Sequence, residues 1–129
     1  IKFNETNGTF LDNTPVIRYP ELLLISAEAK AVSGDVPGGL ADLNTLREAR
    51  GASTVSASNA NALIDLVMTE RRLEFAFEGH RWFDLKRRGM NIRKPGGATG
   101  VQYTNYRILA NIPTAEVNMN DDLEQNPGY

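Results

Sequence analysis

Cysteine is absent from this chain, and histidine and tryptophan each occur once among its 129 residues. Without cysteine the chain forms no disulfide and offers no thiolate to a metal ion. A single histidine also excludes metal sites that need two imidazole ligands. No apolar run approaches the ~20 residues that cross a bilayer as a helix. These absences leave an ordinary folded domain, of moderate size, as the class to consider.

The charge balance is nearly even, since 14 basic and 16 acidic residues give a net charge of −2. The distribution is uneven: residues 70–94 carry eight basic and four acidic side chains, whereas residues 115–129 carry four acidic and no basic ones. A basic segment and an acidic tail can neutralise each other within one fold. Nucleic acid, which needs a net basic face, is therefore not an expected partner.

The first half of the chain predicts a helical hairpin. Pro20 suits the first turn of a helix over about 20–33, which stops at Gly34. A second helix is predicted over about 39–50, with Gly51 directly after it. Two helices joined by so short a connection lie antiparallel.

A long third helix is predicted over 61–78, with Asn59 or Asn61 as its cap. Gly79 indicates an elbow, and a shorter helix follows over about 80–88. The hairpin is expected to pack on the third helix, because each segment has an apolar stripe too wide to leave in water. The predicted common core consists of Leu24, Ala27, Leu43, Leu46, Leu63 and Val67.

Four aromatic residues flank the predicted elbow: Phe75, Phe77, Trp82 and Phe83. Large rings bury well where two helices meet, so Trp82 and Phe83 are expected in the core near this joint. The region of Phe75 and Phe77 is expected to belong instead to a second apolar surface that the third helix and the hairpin leave uncovered.

The remaining segments lack helical periodicity. Residues 1–17 predict an irregular or extended lead-in, separate from a domain over 18–129, and residues 52–61 predict a flexible loop. A short strand is expected over 107–112 and one helical turn over 115–117. The predicted fold class is therefore mainly α, with a helix hairpin, a long helix with an elbow, irregular loops, and short extended segments at both ends.

Glu70, Glu74 and Glu78 stand four residues apart on one face of the third helix, and His80 follows. Repulsion between carboxylates at this spacing costs only a few tenths of a kcal/mol. We interpret the ladder as structural ion pairing with nearby arginines rather than as a metal site, because a lone histidine offers one nitrogen ligand. Those arginines are Arg71, Arg72 and Arg81. The residues Arg47, Glu48 and Arg50 of the second helix are expected to be solvated.

Catalytic signatures are missing. There is no Gly-x-Ser-x-Gly, and His80 has no evident serine partner in the sequence. The glycines at 96–97 lack the Gly-Lys-Ser/Thr ending of a phosphate-binding loop. Tyr103 and Tyr106, in a loop, are the best candidates for a ligand-binding surface.

Five short stretches together carry a specific pattern. Residues 70–87 read ERRLEFAFEGHRWFDLKR, preceded by RYPELLLISAEA at 18–29 and LNTLR at 43–47. The chain ends with IPTAE at 112–116 and QNPGY at 125–129. In order and spacing these stretches resemble the SusD/RagB family of outer-membrane nutrient-binding lipoproteins, over about half the chain. The signature residues, expected to determine the fold, are Glu70, Arg71, Arg72, Glu74, Glu78, Gly79, His80, Arg81, Trp82 and Asp84.

The resemblance implies a largely helical protein with tetratricopeptide-like helix pairs. Such proteins bind glycans or other nutrients at the cell surface without cleaving them, and deliver them to a SusC-type TonB-dependent transporter. No cofactor is implied. The chain is shorter than members of the family, so we expect it to be the C-terminal part of a longer protein. The missing N-terminal region is expected to carry a lipid anchor and to contact this segment. The alternative is a helical-repeat module that binds protein and no small ligand.

Overall fold

The computed structural model describes residues 16–93 and 100–129. Most of the expected lead-in over 1–17 and the glycine-rich loop at 94–99 thus lie outside the described residues. The chain divides after Glu74 into two compact parts, here the N-terminal unit (up to Glu74) and the C-terminal unit (Phe75–Tyr129).

The N-terminal unit opens with the predicted hairpin. Helix α1 spans Tyr19–Ser33 and ends at Gly34, whose φ of +92° is readily adopted only by glycine. Helix α2 spans Val36–Ala49 and so begins three residues before the predicted start. The earlier start has a local cause: the Asp35 carboxylate accepts a hydrogen bond from the Gly38 amide at 2.9 Å, which caps the first turn.

The two helices of the hairpin come into close contact at Gly39. A β-carbon at this position would lie 2.7 Å from the Ala27 carbonyl oxygen and 2.9 Å from a methyl group of Leu63. Further along the hairpin, Ser26 and Lys30 of α1 both donate to one oxygen of Asp42, at 2.6 and 2.7 Å. A small residue and a shared carboxylate therefore fix how α1 and α2 pack.

Helix α3 spans Ala60–Glu74 and contacts both helices of the hairpin. Asn59 caps it, as predicted, by accepting a hydrogen bond from the Ala62 amide at 2.9 Å. The predicted common core is confirmed, because all six of its side chains are at most 2% exposed. Those residues are Leu24, Ala27, Leu43, Leu46, Leu63 and Val67.

The C-terminal unit begins with a turn at 75–79, so α3 ends four residues before the predicted position. Phe77 and Gly79 both have left-handed backbone (φ +68° and +80°), which no helix continues through. Helix α4 then spans His80–Arg87, close to its predicted range.

The rest of the C-terminal unit is mostly irregular. An isolated antiparallel bridge joins Ile92 and Val101, and helix α5 spans Thr114–Met119. The predicted strand over 107–112 is wrong: Tyr106–Ile108 forms a single 3-10 turn, capped by the Asn105 side chain, and irregular backbone follows. The fold class is confirmed as mainly helical. None of the helices in the described parts of the chain has the length and apolar content to cross a membrane.

Leu22 and Leu24 of α1 offer a matched test of the core. Leu24 is fully buried, whereas Leu22 is 54% exposed. We expect Leu24→Ala to lower the free energy of unfolding by about 2–5 kcal/mol, because it leaves a cavity between three helices. Leu22→Ala should change it by less than about 0.5 kcal/mol. Urea unfolding followed by circular dichroism measures both, and equal losses would contradict the assigned core.

Candidate functional site

Glu74, the last residue of α3, joins three segments of the N-terminal unit. Its carboxylate accepts hydrogen bonds from Arg18, ahead of α1, at 2.6 Å, and from Arg50, after α2, at 2.9 and 3.0 Å. Arg18 also donates to the main-chain carbonyl of Glu74 at 3.1 Å. The hydrogen bonds from Arg50 are the main cause that lowers the pKa of Glu74 to about 2, against the opposing effect of burial, and Arg18 adds to it.

Glu70, one turn earlier on α3, forms an ion pair with Arg47 of α2. The expectation that these residues are solvated is therefore wrong for Arg47, whose side chain is 21% exposed, whereas Glu48 and Arg50 are exposed as expected. Both arginines lie on the side of α2 that faces α3, and their long aliphatic stems allow the charged ends to reach across. Glu70 and Glu74 of the carboxylate ladder thus serve in ion pairing, as predicted, with Arg18, Arg47 and Arg50 as partners, none of which was among the expected arginines. The pairing of Glu78 stays a prediction.

The aromatic residues near the turn at 75–79 divide into two groups. Phe75 is buried and its ring stacks on His80, with centroids 4.6 Å apart. The prediction that Phe83 and Trp82 belong to the core is wrong, since they are 69% and 42% exposed. Phe77, expected on a second apolar surface, is 99% exposed. The left-handed backbone of Phe77 accounts for its outward position, because the turn points this side chain away from the unit.

Asp84 is the buried carboxylate of α4. It accepts hydrogen bonds from Nε and one terminal nitrogen of Arg87, at 3.1 and 3.0 Å. The other signature residues occupy varied environments: Arg71 is buried, Glu78, His80 and Arg81 are half-buried, and Arg72 and Gly79 are exposed. From the sequence we expect Arg81 to pair with a carboxylate such as Glu78 or Asp84, or with backbone carbonyls at the Gly79 turn, and this stays a prediction.

The segment 52–57, expected to be a flexible loop, is held along α2 by side chains. The Asn44 amide pairs with the backbone of Val55 in both directions, at 2.9 and 3.0 Å. Arg47 donates to the Ser53 carbonyl at 2.8 Å. The loop therefore has a defined path without belonging to a sheet.

The candidate ligand residues Tyr103 and Tyr106 both lie in the C-terminal unit and are 44% and 40% exposed. The ring of Tyr103 lies over Gly89, where an added β-carbon would sit 3.6 Å from it, and the Tyr103 amide donates to Asn91. Tyr106 packs against Gly128, where a β-carbon would come within 2.6 Å of its ring. Each of the two tyrosine rings thus lies next to a glycine.

The last residues of the chain fold back onto 109–112. The Gln125 side chain pairs with the backbone of Ile112 in both directions, at 2.8 Å each, and Asn126 donates to the Ala110 carbonyl at 2.6 Å. The hydroxyl of Tyr129 donates to the Leu109 carbonyl at 2.9 Å. This fold-back places the exposed ring of Tyr129 beside Tyr106.

Tyr106, Arg107 and Tyr129 form what we call the Tyr–Arg cluster. The two rings meet edge to face with centroids 5.1 Å apart, and the Arg107 guanidinium carbon lies 5.6 Å from the Tyr106 centroid. Arg107 donates to the Tyr106 hydroxyl at 3.3 Å, which raises the pKa of Arg107. Sequence reasoning missed Arg107 and Tyr129 as site residues, although the QNPGY ending that carries Tyr129 was noted.

An exposed aromatic pair with a fixed guanidinium presents an apolar face next to hydrogen-bond donors, which suits a polar ligand with an apolar side. Across residues 16–93 and 100–129, no group of three or more His, Asp or Glu side chains is arranged to hold a metal ion.

Comparison with known proteins shows where this helical arrangement recurs. The sequence model of the SusD family matches residues 3–129. The chain belongs to the SusD family. It is 31% identical to SusD-like protein P38 of Formosa agariphila over 99% of its length, and 33% identical to the starch-binding protein SusD of Bacteroides thetaiotaomicron over 96%.

Solved structures of SusD-like proteins show the same fold. A SusD-like protein of Bacteroides fragilis superposes over 88% of the chain with a TM-score of 0.74 and 29% identity. A SusD-like carbohydrate binding protein of Bacteroides vulgatus covers 61% of it with a TM-score of 0.57 and 34% identity. The chain spans about a sixth to a quarter of these proteins: 27% and 23% of the two curated relatives, and 25% and 17% of the two structures.

The Glu74 ion pairs predict a specific dependence of stability on pH. A carboxyl whose pKa falls from 4.5 to about 2 on folding stabilises the fold by at most about 3 kcal/mol above pH 4.5. This contribution is lost as the pH falls from 4.5 through about 2, because the unfolded chain binds the proton first. We expect Glu74→Gln to lower the free energy of unfolding at pH 7, and the difference from the parent chain to shrink toward pH 2.5.

Denaturant unfolding at several pH values measures this difference. Glu48→Gln, at an exposed position of α2, is the matched control and should leave stability unchanged at every pH. A Glu74→Gln deficit of the same size at pH 7 and about pH 2.5 would contradict the assigned role of the carboxylate.

Proposed function

We propose that this chain is the C-terminal part of a cell-surface protein that binds glycans or related nutrients and delivers them to a SusC-type TonB-dependent transporter. Family membership supports the binding role, together with the descriptions of two relatives as starch-binding and carbohydrate binding. On this proposal the protein sits on the extracellular face of the outer membrane, is lipid-anchored through an N-terminal region, and performs no catalysis.

The observation that carries the proposal within this chain is the set of half-exposed tyrosines of the C-terminal unit. The ring of Tyr106 packs against Gly128, and Tyr103 lies over Gly89 with its amide bonded to Asn91, so the fold positions both residues. A rigid ring loses little conformational entropy on binding, and its face can pack against the C–H side of a sugar. We therefore assign Tyr103 and Tyr106 as glycan contacts of this segment.

A second candidate function is an interface with another protein helix. Leu22, Ile25 and Val32 lie on one side of α1 and are all more than half exposed, which favours this alternative. A pull-down that captures a protein partner, from a chain that binds no glycan, would favour the interface over nutrient binding.

The tyrosine assignment predicts a loss of glycan affinity on truncation. Because most of the relatives' length lies outside this segment, we expect weak binding, followed best by NMR titration against a panel of oligosaccharides. Tyr103→Ala and Tyr106→Ala should each weaken binding by about fivefold or more, the cost of removing a contact worth about 1 kcal/mol.

Tyr19→Ala is the control, since Tyr19 is an even more exposed tyrosine (68%) on α1 of the N-terminal unit. It should leave glycan affinity unchanged. Equal losses in all three variants, or no loss in the two C-terminal ones, would exclude the tyrosines as contacts.

A further inference from the structure

Arg107 is an isolated cation in an acidic stretch of the chain. It is the one basic residue among positions 95–129, where Glu116, Asp121, Asp122 and Glu124 supply four carboxylates. An arginine in such surroundings commonly forms an ion pair with one of them. Within residues 100–129, however, no carboxylate lies within ion-pair distance of Arg107. Its contacts are with the ring and hydroxyl of Tyr106.

The position of Arg107 is set by the structure around it. Asn105 caps the 3-10 turn by accepting the Arg107 amide proton at 3.0 Å, which fixes the backbone. The guanidinium lies near the Tyr106 ring with its Nε–H bonded to the tyrosine hydroxyl. This hydrogen bond uses one of the five N–H donors of the guanidinium and leaves the forked pair of terminal nitrogens for another acceptor.

Tyr129 supplies an apolar surface beside this charge. Its hydroxyl is bonded to the Leu109 carbonyl and its edge-to-face contact with Tyr106 fixes the ring, yet the residue remains 52% exposed. Gln125 and Asn126 stabilise the C-terminal fold-back that places Tyr129 beside Tyr106. A fixed aromatic face next to a fixed guanidinium matches a ligand that combines an apolar ring face with an anionic substituent.

We propose that the Tyr–Arg cluster binds an acidic sugar, with the anionic group on the terminal nitrogens of Arg107 and the apolar face of the sugar ring on Tyr129. The proposal rests on the proposed carbohydrate-binding function and narrows it to glycans that carry oxyanions. Carboxylate and sulfate share the geometry that a guanidinium recognises, so both a uronic acid and a sulfated sugar satisfy this chemistry.

The test compares three oligosaccharides of equal length by NMR titration of the 129-residue chain: oligogalacturonate, a sulfated galactan fragment and the neutral galactan fragment. We expect an acidic probe to bind at least about fivefold more tightly than the neutral one at low salt, and to weaken as sodium chloride is raised, because screening acts on an exposed ion pair. Preference for the uronate assigns a carboxylate ligand, and preference for the sulfated probe assigns a sulfate ligand.

Arg107→Gln should abolish the preference for the acidic probe over the neutral one, while Arg107→Lys should retain part of this preference because charge remains but the fork is lost. Arg72→Gln, at an exposed arginine of α3, is the matched control for net charge and should preserve the preference. Unfolding midpoints show that each variant is folded.

Four outcomes overturn the proposal. If all probes bind equally, or Arg107→Gln leaves the acidic preference intact, the chain binds sugar by other means and the proposed carbohydrate-binding function stands. If Arg72→Gln weakens acidic binding as much as Arg107→Gln, the preference reflects net charge and not this site. If no probe binds, the carbohydrate-binding role of this segment fails together with the acidic-sugar site.

Discussion

The carboxylate of Glu74 is the interaction on which the N-terminal unit depends most. It accepts hydrogen bonds from Arg18, 56 positions away, and from Arg50, 24 positions away. A carboxylate at the last residue of a helix is disfavoured by the helix dipole, so the two guanidiniums offset this cost as well as joining three segments. The C-terminal unit begins directly after Glu74. The ion pairs of Glu74 therefore fix the end of α3 at the boundary between the two units.

The helical core could be predicted from sequence because it depends on local periodicity. Leu24, Leu43 and Leu63 each belong to an apolar stripe of helical spacing on a different helix. All three are buried once the helices pack on one another. The ion-pair partners could not be predicted in the same way. Which arginine reaches Glu70 or Glu74 depends on how α2 and α1 pack against α3. The paired residues are more than twenty positions apart in the sequence, so local patterns do not indicate them.

The aromatic residues show a second limit of prediction from sequence. Trp82 and Phe83 were expected in the core because of their hydrophobicity, yet both are exposed, and the left-handed turn at 75–79 likewise directs Phe77 outward. Hydrophobicity indicates that a ring prefers burial, but the turn conformation decides which way it points. For the candidate site, Tyr103 and Tyr106 were identified from their loop position, whereas Arg107 and Tyr129 came together only through the fold-back at the C-terminus.

Side-chain amides form paired hydrogen bonds with the main chain at two places: Asn44 with Val55, and Gln125 with Ile112. Because each amide recognises the peptide group and not the side chain of its partner, the path of the segment is independent of the residues it carries. Substitutions at neighbouring exposed positions such as Thr54 and Ser56 can therefore accumulate during evolution without moving the backbone. Such segments are suited to diverge in surface chemistry among paralogues while the helical scaffold beneath them stays the same.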